Sequence, residues 1–245
     1  GRDIDGESTE DYSGGSTRSI SLASDGNIVA IGARSNDGNV GGQRNVGHTR
    51  IYAWNDSAWV QRGDDIDGEA HNDNSGWSTS LSSDGTIVAI GAYQNGGNGD
   101  RAGHTRIFQW DGSSWNQLGT DIDGEAAGDA SGYSVSLSSD GTIVAIGAYQ
   151  NDGNGDRAGH TRIFQWNGSA WVQRGSDIDG EGLAHRSGSS VSLSSDGTTV
   201  AISAPMHFMR SGHTRIYDWN DSAWVQRGRD IDGESTEDYS GGSTR

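Results

Sequence analysis

Five copies of the pentapeptide Asp-Ile-Asp-Gly-Glu punctuate this 245-residue sequence, beginning at Asp3, Asp65, Asp121, Asp177 and Asp230. Carboxylates at alternate positions around a glycine turn, followed by one more Asp, are what a hard cation such as calcium takes, since it gathers about six to eight oxygens. The candidate calcium ligands are Asp3, Asp5, Glu7 and Asp11; Asp65, Asp67, Glu69 and Asp73; Asp121, Asp123, Glu125 and Asp129; and Asp230, Asp232, Glu234 and Asp238. The remaining copy supplies Asp177, Asp179 and Glu181, but His185 and Arg186 stand near where its last ligand belongs. Asn151, Asp152, Asn154 and Asp156 form a second candidate loop. Set against these metal readings, Asp, Asn and Gly also build turns by capping their own backbone.

Other residues recur at fixed places. Asn55, Asn167 and Asn220 each open an Asn-x-Ser glycosylation sequon between two tryptophans, whereas Asp111 holds the same place as a plain turn former. His48, His104, His160 and His213 head one segment of every unit, either as a ring of imidazoles for a transition metal or as hydrogen-bonded edge residues. Tryptophan pairs such as Trp166 and Trp171 suit a sugar-stacking platform or, more readily, packing between units. No catalytic residue is expected, because every Asp and Glu lies in a repeated turn and no unit has its own nucleophile, base and orienting group. Repeat symmetry breaks at 205–210, where Met206, Phe208 and Met209 replace a polar loop and read as a contact surface.

The spacing of the pentapeptide gives units of 62, 56, 56 and 53 residues. They divide the chain into repeats 3–64, 65–120, 121–176 and 177–229, with 230–245 starting a further one. In the third unit, residues 133–137 alternate as a half-buried strand, and Asp140-Gly141 supplies the tight turn. Strands over 142–148, 160–166 and 170–175 follow, separated by a Gly/Asn/Asp loop at 150–158 and a turn at 167–169. Four short antiparallel strands per unit cannot bury both faces of one sheet, so the units must stack as the blades of an all-β, propeller-like tandem repeat.

The order SGYSVSLSSDGTIVAIGA, then GHTRIFQW, then AWVQ resembles the FG-GAP-like repeats of integrin-type β-propellers and their bacterial and algal relatives. Ser131-Gly132 stands where the family has Phe-Gly, and Ser203-Ala204-Pro205 comes nearest its Gly-Ala-Pro strand. The resemblance implies secreted or cell-surface blades that commonly close in sevens, and a calcium loop of the Asp-x-Asp-x-Asp-Gly type. Here that loop's place holds only Ser-Ser-Asp-Gly-Thr, so the family's usual calcium site is missing.

Composition narrows the partners. A formal charge of −17, from 27 Asp and 7 Glu against 17 Arg, with no Lys, argues against nucleic acid and anionic membranes. The longest apolar runs are far too short to enter a bilayer, and there is no Cys to staple the fold. With no initiator Met and no signal peptide, a mature form or a fragment of something longer is expected. Residues 1–18 return unchanged as 228–245, a second period of 227 residues. Two identical segments cannot fill one slot, so the surplus copy is expected to join the next block. The expectation is an extracellular structural or adhesive protein polymerising with itself head to tail; the alternative is a calcium-dependent carbohydrate-binding propeller.

Overall fold

The computed structural model describes residues 3–38 and 44–242; the side chains of Phe208 and Met209, two of the three expected contact residues, lie outside the described set. The first sheet holds β1 (Ile20–Leu22), β2 (Ile28–Ala33), β3 (His48–Trp54), β4 (Trp59–Gln61) and β5 (Ile66–Asp67). The second holds β6 (Ser78–Leu81), β7 (Ile87–Ala92), β8 (His104–Trp110), β9 (Trp115–Gln117) and β10 (Ile122–Asp123). The third holds β11 (Ser131–Leu137), β12 (Ile143–Ala148), β13 (His160–Trp166), β14 (Trp171–Gln173) and β15 (Ile178–Asp179). The fourth holds β16 (Ser190–Leu193), β17 (Thr199–Ala204), β18 (His213–Trp219), β19 (Trp224–Gln226) and β20 (Ile231–Asp232), with one short helix, α1 (His207–Arg210), between β17 and β18. All four sheets are antiparallel, one blade per repeat.

Each blade has five strands where the sequence predicts four. The third strand is seven residues long, but the fourth covers only its last three, from Phe164↔Gln173 to Trp166↔Trp171. The Ile-Asp of the next pentapeptide pairs with the uncovered part, Thr161↔Ile178 and His160↔Asp179, and buries its isoleucine. Part of the expected turn is therefore a strand, and it belongs to the preceding sheet. The Asp-Gly hairpin forms as predicted. Asp140 Oδ1 accepts the Thr142 amide and the Ser138 hydroxyl, and Gly141 takes the left-handed φ of 71° that the turn needs.

The core lies between blades. Ala30, Ile51 and Ile66 of the first sheet pack on Leu81, Val88, Ile90 and Phe108 of the second. Equivalent residues repeat this at the next two joints. Each such side chain, taken fully from water, contributes about 1.5–3 kcal/mol. Close approach needs glycine: a Cβ on Gly32, Gly91 or Gly147 would overlap the backbone carbonyl of Gly76, Gly132 or Gly188 in the following unit. Backbone bonds also cross the joints, from the Ser24 amide to Ser83 O (2.9 Å), Ser83 to Ser139 (2.8 Å) and Ser139 to Ser195 (2.8 Å).

Candidate functional site

The buried histidines organise the acidic residues. His104, first in β8, is buried with Nδ1 3.9 Å from Glu69 Oε2 and 3.6 Å from Asp121 Oδ2. Arg106 Nη1 lies 3.6 Å from Glu69 Oε1. The same set forms around His48 with Glu7 and Asp65, around His160 with Glu125 and Asp177, and around His213 with Glu181 and Asp230. Burial holds His48, His104 and His160 below the usual histidine pKa, and brings His213 down to about 4. These imidazoles are neutral at neutral pH, and their carboxylate neighbours only partly offset the burial.

The pentapeptide carboxylates thus face different partners. The first Asp turns to the histidine of the sheet behind, and the Glu to the His and Arg of the sheet ahead. The second Asp sits in or beside the short strand, where Asp5, Asp67, Asp123 and Asp179 give their backbone carbonyls to Arg50, Arg106, Arg162 and Arg215. The later Asp accepts an amide of its own turn and, in the first three units, the side chain of an Asn further along the chain. Asp73 Oδ2 accepts the Ala70 amide (2.8 Å) and Asn95 Nδ2 (3.0 Å); Asp129 repeats this with Ala126 and Asn151, and Asp11 with Ser8 and Asn36. Asp238 Oδ2 accepts the Ser235 amide at 2.6 Å. Among the described residues, mixed His–carboxylate sets such as Glu69–His104–Asp121 bring their ligand atoms within 4.8 Å of one another. In the second candidate loop, Asn151 and Asp152 accept the backbone amides of Gly153 and Arg157, and Asn154 donates to Gly180 O.

The sequon asparagines are exposed in their hairpin turns. Asn55, Asn167 and Asn220 each accept two backbone amides through Oδ1, and Asp111 does the same. The tryptophans pair within each blade, with ring centroids 5.4–5.6 Å apart, and the pairs of the second, third and fourth blades serve the joints. Trp115, Trp171 and Trp224 donate Nε1–H to Arg62, Leu118 and Arg174 carbonyls of the preceding blade, each at 2.8 Å. Arg62 and Arg174 also reach forward to lie 4.8 Å over Trp110 and Trp219. These half-buried rings thus take part in packing between units.

Both ends of the stack expose surfaces that the interior buries. Leu22 is 58% exposed where Leu81 is 8%, and Ile231 is 54% exposed where Ile178 is 5%. Gly63, Gly119 and Gly175 lie against tryptophans of the next blade, while their counterpart Gly228 has nothing near it. Arg227, the counterpart of Arg62 and Arg174, folds back onto Asp218 at 2.6 Å.

The duplicated segments divide one set of contacts between them. Inside the stack, residues 65–75 reach both ways. Asp65 meets His48, and the Gly68 and Ser75 amides bond Gly47 O and Val46 O behind; Glu69 meets Arg106 and Asp73 meets Asn95 ahead. Among the described residues, the N-terminal copy makes the forward half, Glu7 to Arg50 (3.6 Å) and Asp11 to Asn36 (3.3 Å). The described residues of the C-terminal copy make the backward half: Asp230 to His213 (3.7 Å), the Gly233 amide to Gly212 O (2.9 Å) and the Ser240 amide to Ser211 O (2.8 Å).

Sequence reasoning missed a cleft of about 680 Å3 where the blades' inner ends converge, lined by Arg18, Tyr133, Tyr149, Arg186, Met206 and Tyr239 among others. Half-buried Met206 thus lines a cleft. A ladder of rings runs beside it: Trp77–Tyr93 at 4.6 Å, Trp77–Tyr133 at 5.3 Å and Tyr133–Tyr149 at 4.1 Å. Arg18 lies 4.9 Å over Tyr133 and Arg34 4.7 Å over Trp77. Burial, then the neighbouring phenols, lifts the Tyr149 hydroxyl to about 12. The available signal was the variation of these positions from unit to unit.

Four five-stranded antiparallel sheets stacked face on face define a β-propeller-like tandem repeat. The repeats are FG-GAP-like: residues 120–164, from the end of the second unit through most of the third, match the family model described as FG-GAP repeat. No curated protein matches the sequence. Among solved structures, the chain is similar to a putative 6-phosphogluconolactonase from Bacteroides uniformis, with a TM-score of 0.57 and 13% identity over 87% of this chain and 54% of that one. It is also similar to the periplasmic gluconolactonase PpgL of Pseudomonas aeruginosa, with a TM-score of 0.54 and 13% identity over 87% and 56%. At that identity the likeness is one of fold, and the chain spans just over half the length of each.

Proposed function

We propose that this chain is a non-enzymatic extracellular structural or adhesive protein whose four-blade block joins head to tail with the next. The observation that carries the reading is the division of contacts between the two identical segments: each end holds half of what one segment makes at every internal joint. A second block meeting the tail would present Leu22 to the surface around Ile231, and Trp59 to Gly228 and Arg227. The tail's segment 230–242 would then make both halves, and the next block's segment 3–18 would be displaced. Such a heterologous joint propagates as a filament, or closes as a ring if the rotation allows. A Leu22→Asp variant should keep the monomer fold and lose assembly in sedimentation velocity and electron microscopy. Equal assembly by the variant and the parent chain would sink the reading.

The neighbours' lactonase names describe those proteins. Here the cleft offers arginines and tyrosines, with Asp238 the single carboxylate among its lining residues. That lining supports a second reading, a carbohydrate-binding propeller for acidic sugars. Glycan binding that Tyr133→Ala and Arg186→Ala abolish would favour it, and chelation would test the calcium dependence we attach to it.

A further inference from the structure

In the first three units the later Asp of the pentapeptide region hydrogen-bonds the Asn that follows the second strand: Asp11–Asn36 (3.3 Å), Asp73–Asn95 (3.0 Å) and Asp129–Asn151 (3.1 Å). In the fourth unit both partners change together. His185 holds the place of the Asp and His207 that of the Asn, and their rings stand 4.5 Å apart at 88°. The strand histidine His213 lies beside them, its ring 4.1 Å from His207 and 6.5 Å from His185. Three imidazoles that are far apart in sequence thus meet at one corner of the fourth blade.

A carboxylate completes the group. Arg215 Nη1 holds Glu181 Oε1 at 3.6 Å, which leaves Oε2 facing the imidazoles, 3.6 Å from His207 Nε2 and 4.0 Å from His213 Nδ1. The ligand atoms of Glu181, His185 and His207 lie within 4.8 Å of one another, and those of His207, His213 and Asp232 likewise. His213 is 1% exposed, and of the four strand histidines it alone leaves both ring nitrogens buried without a hydrogen bond. A buried donor with no partner is destabilising, so its retention needs a reason. The twofold exchange of a self-satisfied Asp–Asn couple for two imidazoles makes the corner rich in nitrogen, the donor that zinc and its neighbours prefer and calcium does not.

We infer that Glu181, His185, His207 and His213 form a binding site for one borderline divalent metal ion of the zinc class. The ion would tie α1 and the loop carrying His185 to the start of β18, the segments through which the fourth blade departs from the others.

The test uses the full chain stripped of metal and titrated with Co2+, whose tetrahedral d–d absorption reports nitrogen-rich four-coordination, followed by displacement with Zn2+. The expected result is one equivalent bound, a Tm raised by Zn2+, and loss of both in His185→Ala/His207→Ala. The single variant His185→Gln, at a half-buried loop position, guards against a fold defect in the double variant. His71→Gln, at an exposed histidine outside the group, should bind as the parent does. Absence of stoichiometric binding by the parent chain, or unchanged binding by folded His185→Gln and the double variant, would overturn the assignment.

Discussion

The three internal joints and the two ends of the stack use corresponding positions and differ in how far these are covered. At the joints, isoleucines, leucines and tryptophans are covered, glycines touch the next backbone, and one segment links two blades. At the ends, Leu22 and Ile231 stand in water and the linking segment appears twice, each copy half used. The lesson is that a blade is stable here through its neighbours more than through itself, so a residue's importance depends on which side of a joint it occupies.

The joints are most sensitive at their glycines. Gly91→Val would drive a side chain into the Gly132 carbonyl, and should cost about 3 kcal/mol or more in denaturant unfolding. Gly26→Ala, at φ 75° in open space at the head, should cost only about 1–2 kcal/mol for its left-handed backbone. Equal losses at the two positions would mean that the joints are not the source of stability. Next in size, Ile146→Ala should destabilise the monomer by about 2–5 kcal/mol, while Leu22→Ala stays within about 0.5 kcal/mol.

Acid acts on the buried histidines. A histidine whose folded pKa lies below its unfolded value of about 6.5 binds fewer protons folded than unfolded, so protonation favours unfolding. His104, among Glu69, Asp121 and Arg106, and His160, among Glu125, Asp177 and Arg162, should therefore leave stability intact above about pH 6.5 and erode it below. Denaturant midpoints measured from pH 7.5 to 5 should fall, and His104→Gln should flatten that fall. The smallest effect belongs to the hairpin turns. Asn167→Asp should change stability by under about 0.5 kcal/mol, because Asp111 already makes the same turn bonds in the second blade.

The blades were legible because repetition and period-two alternation speak about each strand separately: β12, β13 and the Asp140-Gly141 hairpin follow the predicted pattern. β15 and its equivalents were not, since two residues beside Asp-Gly read as a turn until the third strand offers them an unpaired edge. The carboxylates were legible as a set but not by destination. Asp65 and Glu69 are four residues apart, yet one answers to the first sheet and the other to the second. The meeting of His185 with His207, and the ring ladder by the cleft, join residues far apart in sequence, and only the stacking of strands brings such positions together.

The most direct test of head-to-tail joining exploits the absence of cysteine. Backbone bonds across the joints run from Ser24 to Ser83, Ser83 to Ser139 and Ser139 to Ser195, so Ser24 at the head and Ser195 at the tail are the two ends of one series that a next block would continue. A Ser24→Cys/Ser195→Cys chain, oxidised mildly and run under denaturing conditions, should give a ladder of linked chains or one closed oligomer that reduction collapses. A Ser83→Cys/Ser139→Cys chain should cross-link only within itself. A monomer band alone from the first chain, with the second fully cross-linked, would contradict the joint.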